Sequence, residues 1–178
     1  MKKEEKDVYR IKEGNISLIL ESYNDIFSSF DPRPSSERAL SDDFLIECKR
    51  ATLDREEPIT LRLLVPHSKR NLKEELEIQF RLKNHFHKHY IEKRKEIRNL
   101  RLQGVGWFFI GAIAMTLVTL IHETPNFFIN LLRVMLEPAG WFFFWEGLYK
   151  AVITAEEKMK IYNFYKKMDS SRVLFFSY

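Results

Sequence analysis

The chain contains a single cysteine, Cys48, among 178 residues. No intrachain disulfide can form, and zinc sites of the ribbon or finger type, which need several cysteines, are excluded. No P-loop, G-x-S-x-G or H-E-x-x-H spacing occurs along it. The first fourteen residues, MKKEEKDVYRIKEG, are charged and have no apolar run behind them, so no secretory signal is expected there. Internal repeats and low-complexity tracts are absent as well. The polar parts of the chain are therefore expected in the cytoplasm.

Charge is missing from one long stretch, although the chain as a whole is 30% charged. Residues 1–68 hold 11 Lys/Arg against 14 Asp/Glu, and residues 69–102 hold 11 against 5. Residues 103–149 hold one against three, and residues 150–178 hold six against three. Five of the six glycines also fall within 103–149. A wholly soluble domain does not segregate its charge in this way. The counts divide the chain into a cytoplasmic α+β part (1–68), a long basic helix (69–102), a transmembrane hairpin (103–149) and a cytoplasmic helix with a closing strand (150–178).

Gly104 to Ile121 is an uncharged run of 18 residues. As a helix it measures about 27 Å, close to the ~30 Å hydrocarbon core of a bilayer. Trp107 stands near one end, where interfacial rings collect. A polar turn follows, carrying Pro125. Phe127 to Tyr149 then has the length of a second span, with Pro138 and Gly140 as candidate kink points. Lys93, Arg94, Lys95, Arg98 and Arg101 precede the first span, and Lys150, Lys158, Lys160, Lys166 and Lys167 follow the second segment. The turn between them has neither Lys nor Arg. The positive-inside rule puts both flanks in the cytoplasm, which requires two crossings rather than a re-entrant helix.

Three charges lie inside the second span: Arg133, Glu137 and Glu146. Each costs about 2.5–3.5 kcal/mol at the middle of a lipid-facing helix. Arg133 and Glu137 share a face and can pair, but a lone hairpin offers little cover. Assembly into an oligomer supplies that cover. On the first span Ala112, Thr116 and Thr119 form one small, weakly polar stripe, and Gly104 and Gly111 form another line of close approach. Either stripe suits a packing seam or a pore lining.

In the cytoplasmic part, residues 16–21 read as a strand. Ser41, Asp42 and Asp43 open a helix over 42–52. Pro58 leads into a second strand at 59–65, giving the order of a βαβ unit. Ser68 is positioned to cap the long helix, whose apolar stripe is Leu72, Leu76, Phe80, Phe86, Tyr90, Ile97 and Leu100. With neither Pro nor Gly to interrupt it, that helix is expected to run straight into the first span. Ala151 to Met168 reads as a helix, and residues 172–178 as a strand that pairs with the earlier two. The fold expected is a membrane α+β protein. A two-span helical hairpin is inserted in a small cytoplasmic α+β domain, with the long helix continuous with the first span.

Candidate chemistry is sparse. His85 and His89 are four apart on a helix, yet two ligands do not make a metal site, so no metal and no cofactor is expected. The basic block Lys93, Arg94, Lys95, Arg98 and Arg101 sits beside the bilayer and suits anionic lipid headgroups. Direct RNA binding has thin support, because Tyr90 is the only aromatic residue in Lys88–Arg101. Arg81 and His87 fit the loose R-x4-6-H pattern of HEPN ribonucleases, in which the Arg and His of two protomers meet at a scissile phosphate.

The R-x5-H pair, the long basic helix and the charged two-span hairpin together resemble one family. It is that of the small membrane accessory proteins of type VI-B CRISPR–Cas systems. The resemblance covers size and layout along the whole chain. Leu82 follows Arg81 where the motif more usually has Asn or His. The resemblance implies a divergent HEPN motif at Arg81 and His87 and an oligomeric membrane pore. It also implies a functional link to an RNA-guided RNA-targeting effector in antiphage defence. The expected protein is thus a homo-oligomeric pore or channel of the bacterial inner membrane. Its termini are cytoplasmic, and Arg133, Glu137, Glu146, Thr116 and Thr119 serve the pore or its assembly. The alternatives are a membrane-tethered ribonuclease using Arg81 and His87, and a non-conducting scaffold or receptor.

Overall fold

The structure is a computed structural model that describes residues 15–34, 37–53, 55, 58–121 and 125–178. In chain order the elements are β1 (Asn15–Ile19), α1 (Asp42–Thr52), β2 (Thr60–Val65), α2 (Leu72–Leu120), α3 (Phe127–Tyr149), α4 (Ala155–Ser170) and β3 (Arg172–Ser177). The chain divides into two compact units. The first holds the residues up to Tyr90 together with Asn163–Tyr178, and the second is Ile91–Tyr162.

The first unit is built on a three-stranded, wholly parallel sheet in the order β1-β2-β3. Asn15 registers with Thr60, and Thr60 with Arg172. The β-branched and leucine-rich segments form the strands, as their sequence predicts. Joining parallel strands requires long crossovers. The first carries α1, and the second carries everything from α2 to α4, including the whole second unit. The closing strand therefore pairs with β2 alone, on the side away from β1.

The alternation of β2 turns Leu61, Leu63 and Val65 to a fully buried face. Phe44 and Cys48 of α1, Ile78, Leu82 and Phe86 of α2, and Phe164 and Met168 of α4 pack into the same core. A large side chain buried in this way contributes about 1.5–3 kcal/mol. Helix α1 occupies 42–52 as the sequence predicts. Ser41 stands at its N-cap without a side-chain capping bond, so Asp42 and Asp43 support the start through their charge at the helix N-terminus.

The start of α2 differs from expectation. Residues His67–Lys69 form a 3-10 turn, and α2 begins at Leu72, after Asn71, whose side chain accepts the Lys73 N–H. The Pro66 just before the turn delays the helix, so Ser68 does not cap it. The buried stripe differs too. Leu72, Leu76 and Phe80 are 71%, 58% and 69% exposed, and Ile78 and Leu82 are buried in their place, whereas Phe86 and Ile97 are buried as the sequence predicts. Over its first turns the helix therefore buries a different face from the one its leucine spacing suggests. At the other end, α3 and α4 are joined by a π-helical turn, Lys150–Thr154, into one helix running from Phe127 to Ser170. The Lys150 N–H is shared between the carbonyls of Glu146 and Gly147, and the helix continues into the turn. Pro138 sits inside α3, and the helix continues through it.

Candidate functional site

The second unit pairs the apolar parts of α2 and α3. Both helices are long and apolar enough to cross a membrane, and only 17% and 6% of their most apolar windows are buried. A core helix of a soluble protein would be mostly buried. Here Phe109, Ile113 and Leu117 of α2, with Leu132, Met135 and Phe142 of α3, stand exposed.

Glycines bring the two helices into backbone contact. A Cβ placed on Gly104 would lie 2.7 Å from the Gly147 carbonyl oxygen, and one on Gly111 would lie 2.7 Å from that of Gly140. Such separations exclude any side chain there, so the glycine line is the seam of an antiparallel hairpin. Trp107 stacks on Phe143 at 4.8 Å and Phe108 lies 4.7 Å from Phe144, flanking the seam with aromatic contacts. Gly106 is different: nothing lies within 4 Å of its added Cβ.

The other small-residue line faces outward. Thr116 and Thr119 are exposed, and their hydroxyls donate to the carbonyls of Ala112 and Thr116 on their own helix, at 2.8 and 2.7 Å. The antiparallel pairing sets these threonines within about one turn of Arg133 and Glu137 in depth. Arg133 is half-buried, and Glu137 is exposed at the midpoint of α3. Among the described residues no ion pair of Glu137 is seen. Glu146 differs from Glu137, because Lys150 pairs with it at 3.1 Å while lying 5.7 Å from the Trp107 ring centre.

Arg81 and His87 are not brought together. Six residues of helix set them about 120° apart. The Arg81 guanidinium stacks 4.3 Å over Phe27 and donates to the Arg38 carbonyl. Burial, aided by Arg33, lowers its pKa. His87 Nδ1 lies 3.0 Å from Asp169 Oδ1, and Lys83 donates to the Asp169 carbonyl. His85 and His89 are ring neighbours at 4.4 Å, and His89 stacks on Tyr165 at 5.1 Å. Among the described residues no group of three metal-ligating side chains converges.

One polar cluster escaped the sequence reading. Beyond the carboxyl ends of β1 and β2, buried Glu75 accepts two bonds from Arg70, each 2.8 Å, and one of 2.8 Å from the Tyr23 hydroxyl. That hydroxyl in turn accepts the Asn71 N–H at 2.9 Å. The Arg70 guanidinium holds the Glu75 carboxyl below its ordinary range, and burial raises the Tyr23 phenol. The cluster fastens the start of α2 to the turn after β1. Its partners lie up to 52 residues apart, and only the acidic first turn of α2 hinted at it.

The chain matches no protein-family model, no curated protein and no solved structure.

Proposed function

We propose that the chain inserts into the bacterial inner membrane as a two-span hairpin with both ends cytoplasmic, and assembles there into an oligomeric pore. The observation that carries this reading is Glu137, an exposed carboxylate at the middle of an apolar helix with no ion pair among the described residues. Facing lipid it costs about 2.5–3.5 kcal/mol on the insertion scale. Facing a neighbour or a water-filled lumen it loses most of that cost. The outward Thr116 and Thr119, within a turn of the same depth, add to the polar band that adjoining copies would share. A ring of Glu137 carboxylates favours cations in such a lumen. The resemblance in layout supports a role as an accessory effector in RNA-guided antiphage defence.

The membrane-tethered ribonuclease has less support, because Arg81 is committed to Phe27 and Arg38 and His87 to Asp169. Planar bilayers containing the purified full-length protein test the proposal. Discrete cation-selective currents are expected, with Glu137→Gln lowering the selectivity. An assembled oligomer that carries no current would leave the scaffold reading and overturn the pore.

A further inference from the structure

Just before the apolar run of α2, the second unit contains an open cavity of about 820 Å³. Four cations line it: Arg94, Lys95, Arg98 and Arg101. None of the four makes an ion pair among the described residues. The nearby acid Glu96 is already engaged, at 2.8 Å by Lys93 and 3.3 Å by Lys158. Like charges three and four apart on one helix repel.

The rest of the lining is apolar. Ile97, Leu102 and Val105 of α2 and Met159 and Tyr162 of α4 face the same space. Arg101 stands three residues, about 4.5 Å along the axis, before the apolar run begins at Gly104. That is headgroup depth for a helix entering a bilayer. A cationic rim over an apolar floor at this depth matches one ligand chemistry, a phosphate ester attached to hydrocarbon. A free phosphate has no use for the floor. The volume falls within the usual range for ligand sites and admits a headgroup with the first methylenes of its chains. Arg94 to Arg101 span about 10 Å along the helix, more than one phosphate needs. We infer that this cavity is a binding site for an anionic phospholipid, with a two-phosphate lipid of the cardiolipin type preferred. The guanidinium groups bind the phosphates, and Val105 and Met159 bind the upper chains. The inference rests on the membrane insertion proposed above.

The test uses full-length protein in nanodiscs of phosphatidylcholine containing cardiolipin, phosphatidylglycerol or neither, with retained lipid counted by native mass spectrometry. Selective retention of cardiolipin is expected. Arg98→Ala/Arg101→Ala should weaken it about thirty-fold, because each cation near the surface is worth roughly a factor of five to six. Met159→Trp fills the cavity with every charge kept, and should also lower retention. Lys73→Ala/Lys160→Ala removes the same charge elsewhere and should stay within about twofold of wild type. Equal loss in both double variants, or full retention by Met159→Trp, would overturn the site. Displacement of the lipid by millimolar inorganic phosphate would reassign it to a free anion. Membrane fractionation of the same proteins separates the two levels of the argument. Wild type in the membrane without selective lipid overturns this inference alone, whereas wild type in the soluble fraction overturns the insertion as well.

Discussion

Glu75 is the residue on which the start of α2 depends. Its carboxylate satisfies Arg70 and Tyr23 together, and its own side chain is almost wholly buried. Glu75→Gln leaves Arg70 facing a neutral partner and is expected to cost on the order of 3 kcal/mol. Thermal unfolding followed by circular dichroism checks this. The pH dependence has a fixed sign. The folded pKa lies below the ordinary 4.5, so the contribution is complete above that value and disappears as pH falls through the folded pKa. Wild type should therefore lose melting temperature on acidification more steeply than Glu75→Gln. This site was not legible in the sequence, since no local pattern relates Tyr23 to Glu75. Arg81 and His87 show the opposite failure. Their spacing was visible, but it could not reveal that Phe27 and Asp169 occupy them.

At the scale of elements, the hairpin rests on its glycines. Gly111→Val and Gly147→Val would drive side chains into the backbone of the facing helix. Both are expected to separate the helices and to raise protease sensitivity at the turn between them. Gly106→Ala meets nothing and replaces a poor helix former, so it should be neutral or stabilising by up to about 1 kcal/mol. An equal effect at all three positions would contradict the seam. Element positions were largely readable: α1, β2 and the two apolar runs follow from periodicity and charge. The choice between the two glycine and threonine lines was not, because both satisfy the small-residue rule. The first part of the buried stripe of α2 was not legible for a similar reason, while Phe86 and Ile97 were. Leu72, Leu76 and Phe80 have the correct period, and only the sheet's position favours Ile78 and Leu82.

For the whole molecule, the account requires a hairpin with its turn across the membrane and its ends together. The native cysteine is a useful internal control. Burial pushes the Cys48 thiol up to about 12, so it should remain unlabelled in the folded protein. A cysteine introduced as Pro125→Cys should react with an impermeant maleimide added to intact spheroplasts, and one introduced as Asn163→Cys should react only after permeabilisation. Reaction of both from outside would remove the cytoplasmic placement of the ends. Parallel β2 and β3 already bring the chain back to its starting sheet after the long excursion, which is consistent with ends on one side.

The central claim is assembly, because an exposed Glu137 in the middle of an apolar helix is unfavourable for a lone hairpin in lipid. The most direct measurement is the mass of the full-length protein released from nanodiscs by native mass spectrometry. The account predicts a closed oligomer of the 21.4 kDa chain that is weakened or altered in stoichiometry by Glu137→Leu. A strict monomer at every protein-to-lipid ratio would contradict it.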